Sequence, residues 1–388
     1  MPATTIAPPG LKFRVERDAL ADAVAWTAKS LPTRPQVPVL AGVLLRVTDG
    51  TLTVASFDYE TSSETTLGVH SDADGAALVS GRLLAEITKA LPAKPVDVEA
   101  HGTHLGLVCG SARFTLPTMP VEDYPALPDM PAPAGTVDAA TFASAVAQVA
   151  VAAGRDDTLP ILTGVLLELA GSTMTLLGTD RYRLALRELP WQPEQPGTDL
   201  RALVPAKVLA DTAKTLGPVG GDVTVALSRD NATAGNGMVG FAAGTRQTTS
   251  RLLDGDFPKV RTLLPTSHNA RARIPVAALV EVVRRVALVA DRATPVRLSF
   301  STDGLVVEAG GSEDARASEA TDAAYEGEPM TVAFNHGYLL DGLASLHAET
   351  AVLSLTEPRK PALLNPADGD GNPDSSHHYM LMPIRIGG

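Results

Sequence analysis

Cysteine is nearly missing: the 388-residue chain has one, Cys109, which excludes an intramolecular disulfide and a cysteine-based metal cluster. Aromatic residues make up only 4%, too few for a surface that stacks on bases. No apolar run approaches a membrane-spanning length, and the most apolar helical stretch, residues 142–153, is interrupted by Gln148. The opening MPATTIAPPGLKF lacks the apolar core of a signal peptide, so a cytoplasmic protein with no membrane partner is expected. Catalytic signatures are absent too. There is no G-x-x-x-x-G-K-[ST], no G-x-G-x-x-G after a strand, no H-E-x-x-H and no G-x-S-x-G. His101 and His104 fall in an expected hairpin turn, His377 and His378 in an expected polar loop. No carboxylate or thiolate accompanies either pair at ligand spacing, so both read as surface histidines and no metal is expected. Asp156 and Asp157 are adjacent as if paired for acid–base work, but neighbours on a helix diverge and solvation of a helix end is the simpler expectation. No catalytic residue and no cofactor site emerge; the chain is expected not to be an enzyme.

What is present is repetition. Residues 160–186, PILTGVLLELAGSTMTLLGTDRYRLAL, read as two strands around a tight turn, and residues 38–58, PVLAGVLLRVTDGTLTVASFD, repeat them at a shift of 122. A period that long signals a duplicated domain. ATFASAVAQVA at 140–150 matches DALADAVAWTA at 18–28, and ALVPAKVLADTAKTL at 202–216 matches ALVSGRLLAEITKAL at 77–91. TSRLLDGDFPKVRTLLP at 249–265 mirrors RFTLPTMPVEDYPALP at 113–128. A third, more divergent round supplies a helix at 276–292, a hairpin at 295–310 without the glycine of the first two, a helix at 334–346 whose Asp341 aligns with Asp211, and the closing strand HYMLMPIRI. The Pro-rich PVEDYPALPDMPAPAG marks the first boundary. The expected organisation is a leader over 1–10 and domains over 11–133, 134–267 and 268–388. Each domain is α+β, two amphipathic helices packed on a mostly antiparallel sheet. The first two helices are expected over 18–31, ended by Pro32, and 80–91, with Ser80 as N-cap.

Charge is uneven. The net charge is −12, which at face value disfavours nucleic acid. Yet the six helix windows (17–34, 80–94, 141–155, 205–217, 276–292 and 335–347) hold 12 basic against 7 acidic residues, leaving 20 against 37 elsewhere. A basic helical set on an acidic protein attracts phosphate locally if the helices share a face; plain solvation is the bland alternative. With no recognition helix, zinc finger or RNP pattern, such cations suit backbone contact independent of base sequence.

The threefold repeat, LLEL…TDRYRLAL, LLDGDFPKVRTLLP, FNHGYLLDGL and the M-P-x-R-hydrophobic ending together resemble the bacterial sliding clamps, the β subunit of DNA polymerase III, of actinobacterial type, over residues 11–386. The resemblance implies a head-to-tail homodimeric ring of six similar domains around double-stranded DNA, a processivity factor that tethers the replicative polymerase. It implies DNA-facing roles for Arg34, Arg82, Arg155 and Lys207; Arg292 is added from its place after a helix. The aromatic pair that some clamps carry before the second hairpin is here Pro160 and Ile161. The implied partners are the DNA polymerase III alpha subunit, the clamp loader, and other polymerases and repair proteins, each inserting a short hydrophobic peptide. Positions matching the peptide pocket are Leu162, Thr179, Arg181, Tyr182, Arg183 and Leu184. Pro258, Leu263, Asn335, Tyr338 and Pro361 follow. Met380, Leu381, Met382, Pro383, Ile384 and Arg385 complete it. Phe114 and Leu116 match the family's dimer edge, Leu288 the helix facing it.

Two departures stand out: Arg181 occupies a position that is glycine in some clamps, and His336-Gly337 is unusual. Removing residues 380–388 is expected to abolish peptide binding and leave the fold. Two other readings remain at this stage. One is a triplicated peptide-binding scaffold that never encircles DNA. The other is a specialised second clamp copy tolerant of clamp-binding antibiotics.

Overall fold

The computed structural model describes residues 10–228, 237–290, 294–310 and 315–385. The repeated hairpins form as their turn chemistry dictates. Gly42–Thr48 and Thr51–Phe57 pair in antiparallel register around Asp49-Gly50, both at positive φ (49° and 73°), the two-residue turn that follows the right-handed twist of the strands. Gly164–Ala170 and Thr173–Thr179 repeat the pairing. The shared glycine has a packing reason. A Cβ on Gly42 would stand 2.5 Å from Leu78 and 2.8 Å from Met119; one on Gly164 would stand 2.7 Å from Leu203 and 2.8 Å from Leu253. The first strand of each hairpin thus lies against neighbours that leave no room for a side chain.

Six α-helices occur among the described residues, two per repeat: α1 (Arg17–Thr27), α2 (Gly81–Ala90), α3 (Ala139–Ala150), α4 (Ala206–Leu216), α5 (Val276–Val286) and α6 (His336–Ser345). None is long and apolar enough to cross a membrane. α1 packs on α2, and α5 on α6. The chain divides into two compact units, and the division passes through the middle repeat. In the first unit one antiparallel sheet runs Pro133–Asp138, Asp222–Leu227, Met238–Ala243, Arg246–Arg251, Thr61–Gly68, Thr51–Phe57, Gly42–Thr48, Gly75–Ser80, Ala112–Met119, His104–Cys109, Val96–His101, Lys12–Val15, His70–Ala73. Its core is aliphatic, with Val24, Leu45, Val54, Leu84 and Leu105 around Phe13. In the second unit the sheet runs Asp199–Pro205, Gly164–Ala170, Thr173–Thr179, Arg183–Pro190, His377–Leu381, Ala362–Pro366, Thr350–Leu355, Ala270–Pro275, Ala324–Glu326, beside a four-stranded sheet of Ala317–Thr321, Gly304–Ala309, Val296–Ser301 and Met330–Phe334. One rule recurs in both units: the strand after the hairpin pairs with the strand near the end of the next repeat. Thr61–Gly68 meets Arg246–Arg251, and Arg183–Pro190 meets His377–Leu381.

Several expectations need correction. α1 and α5 stop earlier than expected and tighten into short 3-10 turns, Ala28–Ser30 and Ala287–Val289; Leu31 donates back to Ala28 one residue before Pro32, which cannot continue the ladder. Ser80 stands at the N-cap of α2, but its side chain accepts no cap hydrogen bond, whereas Asn335 caps α6 by accepting from the Tyr338 N–H. Asp156 and Asp157 lie in a loop and not at a helix end; Asp156 folds it by accepting from the Thr158 N–H (3.0 Å) and hydroxyl (2.6 Å). His377 is no surface histidine: it is fully buried in strand His377–Leu381. Residues 1–9 of the expected leader lie outside the described residues.

Since the space at Gly164 is taken by two leucines, Gly164→Ala should destabilise by about 1–3 kcal/mol. A drop in melting temperature checks it; an unchanged melting temperature would mean the strand can shift freely.

Candidate binding cleft

The site is built on one buried cation. Arg183, 4% exposed, begins the strand Arg183–Pro190. Its Nε donates to Asp180 Oδ2 at 2.9 Å, and its Nη1 to Asp341 Oδ2 at 2.6 Å and to the Tyr379 hydroxyl at 3.2 Å. The guanidinium also lies 4.4 Å from the centroid of the Tyr338 ring. Tyr379 passes the chain on, donating to the Tyr338 carbonyl at 3.0 Å. Burial works against the Arg183 charge, but Tyr379, Asp341 and Asp180 outweigh it and hold its pKa above the usual arginine value. Burial likewise lifts the Tyr379 hydroxyl far above the usual tyrosine value, against the pull of Arg183, so it stays neutral. Gly342 lets the ring approach, since a Cβ there would overlap Tyr379.

Above this network opens a cleft of about 460 Å³. Of the sequence-predicted positions it gathers Leu162, Arg181, Tyr182, Arg183, Asn335 and Tyr338, and Gly337 from the unusual His336-Gly337 pair. Tyr182 and Tyr338 stack with ring centroids 6.3 Å apart. The hairpin turn is set by Asp180, whose Oδ1 accepts the N–H groups of Tyr182 and Arg183, both at 3.0 Å. Thr179 is buried and structural: its hydroxyl donates to the Arg183 carbonyl at 2.6 Å and accepts from the Arg181 N–H at 3.2 Å.

The remaining predicted positions divide. Leu184 and Met380 are directly opposed across the strand pair and fall on the face opposite Arg183, in an apolar cluster with Leu177, Leu186, Val260 and Leu363. Pro258 and Leu263 are exposed on the segment beside that cluster, and Pro361 is half-buried just before Ala362–Pro366. Leu381 is buried and paired with Arg183. Removal from Met380 onward would therefore cut into a core strand, which overturns the expectation that such a truncation spares the fold. The separable tail begins at Met382, which is exposed and donates its N–H to the Tyr182 carbonyl at 2.9 Å. Pro383 and Ile384 are half-buried, Ile384 donating to the Ala333 carbonyl at 2.8 Å, and Arg385 is exposed. The sequence reading had placed all these residues in one slot; the strand's alternation spreads them over two faces.

Sequence reasoning missed Asp180, Ala153, Gly154, Asp156 and Leu159 in the lining, and Tyr379 beneath it. Asp180 lies inside the quoted TDRYR; Asp341 had been aligned with Asp211, but nothing in the sequence joins it to a residue 158 positions earlier. Arg155, expected to face DNA, lines the cleft. Arg34, Arg82 and Lys207 are exposed, with Arg82 donating to the Pro32 carbonyl at 3.1 Å; Arg292 lies outside the described residues. Leu288 is 84% exposed and Phe114 37%. Leu116, at 1%, fills the first repeat's core, so only its backbone is available at an edge. Among the described residues no cluster of His, Cys, Asp or Glu could hold a metal.

His377 begins the strand that carries Tyr379 and Met380. Neither ring nitrogen has a hydrogen-bond partner among the described residues, and burial foremost, then Arg187, pushes its pKa down to about 3. The folded state keeps it neutral, while the unfolded chain protonates near the ordinary value of 6.5. Stability should hold above that pH and fall as pH drops toward 3, at up to about 1.4 kcal/mol per unit. Melting temperatures at neutral and mildly acid pH should differ more for the unmodified protein than for His377→Leu; equal slopes would refute the assignment.

Comparison with known proteins completes the picture. Three family models match in order: the DNA polymerase III beta subunit N-terminal domain over 11–128, its central domain over 136–259 and its C-terminal domain over 261–385. The chain is 53% identical to the beta sliding clamp of Streptomyces coelicolor over 97% of its own length and 100% of the relative's. It is 42% identical to the beta sliding clamp homolog GriR of Streptomyces muensis, over 97% and 100%. Its fold matches the crystal structure of the sliding clamp from Pseudomonas aeruginosa bound to griselimycin with a TM-score of 0.88 at 27% identity, covering 97% of this chain and 100% of that one. The chain belongs to the DNA polymerase III beta subunit family, the beta sliding clamps.

Proposed function

We propose that two copies of this chain close head to tail into a ring around duplex DNA, and that the cleft and the tail beside it receive short hydrophobic peptides from the polymerase alpha subunit, the clamp loader and other DNA enzymes. The observation that carries the DNA half is the state of cations on and just after the helices of the first two repeats. Lys29, Arg34, Arg82, Lys89, Lys207 and Lys214 are exposed, and among the described residues none has a carboxylate within 4.0 Å. In the third repeat, by contrast, Arg284 and Arg285 are held by Glu281 and Glu319. Open cations without base-reading partners suit weak, water-bridged phosphate contact that leaves no deep well along the duplex.

Two open sheet edges support the ring. Among the described residues Ala112–Met119 meets Gly75–Ser80 only at its last two residues, leaving the stretch around Phe114 unpaired on that side. Among the described residues Ala317–Thr321 pairs with Gly304–Ala309 alone, and α5, which packs on it, leads to the exposed Leu288. Unpaired edges of this kind invite another chain, and pairing one with the other satisfies both.

Loaded onto closed circular DNA, the protein should remain until the circle is cut; prompt loss from intact circles would reject enclosure and favour the scaffold reading, as would a native mass of one chain. Truncation after Leu381 should change stability by no more than about 1 kcal/mol and weaken peptide binding. Full affinity in the truncated protein would remove the tail from the site.

A further inference from the structure

Residues 254–268 carry two of the predicted peptide positions, Pro258 and Leu263, and lie against the sheet of the second unit. The stretch is anchored at its ends. The Leu253 N–H donates to the Leu203 carbonyl at 2.8 Å, and the Asn269 N–H to the Leu355 carbonyl at 2.8 Å. Between them the backbone bonds are local, from the Val260 N–H to the Pro258 carbonyl and from the Leu264 N–H to the Arg261 carbonyl, and the Thr262 hydroxyl turns back to the Lys259 carbonyl. Among the described residues, only Arg261 reaches from this stretch to another element by hydrogen bonds. Its Nη2 donates to Glu168 Oε2 at 2.8 Å and its Nη1 to Glu188 Oε1 at 3.4 Å.

The two acceptors are placed by strand register. Glu168, Thr175 and Glu188 stand opposite one another on three neighbouring strands. The carboxylates are thus two strand spacings apart, about 10 Å, and one guanidinium spans them. The next row on that face, Leu166, Leu177 and Leu186, belongs to the cluster in which Phe257, Val260 and Leu264 pack. Apolar contact has no direction and lets a segment slide along leucines. Charge-assisted hydrogen bonds from a planar fork to two fixed strands do not. With Val260 turned into the cluster and Arg261 held, Leu263 is left 53% exposed.

We propose that Arg261 is a positioning residue: it sets the register of residues 254–268 on the sheet and so presents Pro258 and Leu263 as one wall of the apolar slot for a partner's peptide. This role rests on the peptide reading above and deepens it. Arg261 acts through Leu263 and need not touch the peptide.

The test is the affinity of the full-length protein for a capped, uncharged peptide of leucine and phenylalanine, read by fluorescence anisotropy. Arg261→Met keeps the apolar stem and removes the fork. It should weaken binding roughly two- to fivefold, the scale of partly exposed charge pairs, with little change in melting temperature. Arg261→Lys, with a charge but no fork, should fall between. Glu188→Gln should weaken binding by itself and add nothing to Arg261→Met. Raising salt to about 0.5 M should narrow the difference between Arg261→Met and the unmodified protein, because the peptide has no charge of its own to screen. Arg201→Met is the control. Arg201 pairs with the same Glu168 at 3.2 Å from the neighbouring strand Asp199–Pro205, and its loss should leave the affinity unchanged. Equal affinity in Arg261→Met and the unmodified protein overturns the positioning role. So does an equal loss in Arg201→Met, which would make the effect one of general charge. If the peptide binds none of these proteins, the peptide reading itself fails and the positioning role with it.

Discussion

The guanidinium of Arg183 ties together three pieces of chain that are far apart in sequence: the hairpin turn at Asp180, the helix α6 at Asp341, and the last strand at Tyr379. A buried charge with one partner removed costs about 3–5 kcal/mol, so these elements are held to one another's positions. The cleft inherits its shape from that constraint. Tyr338 is placed by the cation beneath its ring, Tyr182 stacks on Tyr338, and the tail is fixed by the Tyr182 carbonyl. The cleft thus has a polar floor held in place by hydrogen bonds and apolar neighbours of an adaptable kind, where Met380 and several leucines pack.

The repeats explain why this surface arises at one of two related places. The first repeat has the same turn, with the same aspartate geometry and the same left-handed residue. But Thr61 stands where the second has Arg183, and Ser62 where it has Leu184. Across the strand pair Ser62 meets Thr249 through a 2.6 Å hydroxyl contact, whereas Leu184 meets Met380. One pairing is polar and self-satisfied; the other is apolar. Duplication kept the backbone and let the side chains diverge.

Much of this was legible in the chain itself. Hairpins were readable because strand alternation and Asp-Gly turns are local, and helices because an apolar stripe repeats every turn. Element ends were less so: α1 and α5 finish in 3-10 turns, and Ser80 leaves its cap unmade, because those details depend on which carbonyl lies within reach after packing. His377 read as polar loop because histidine is usually exposed; the sheet around it buried the ring regardless. The pocket positions were found through family resemblance, yet their division over two faces followed from strand alternation that could be applied only once the register was known.

By itself the sequence determined the threefold plan, the hairpins of the first two repeats with their shared glycine and the uneven distribution of charge, since all of these are properties of neighbours along the chain. Tertiary structure decided that Arg183 is buried between two carboxylates, that Leu116 and Leu381 belong to the core, and that Arg155 turns to the cleft. Those outcomes depend on groups brought together across more than a hundred residues, and no local pattern encodes which distant side chain will stand opposite.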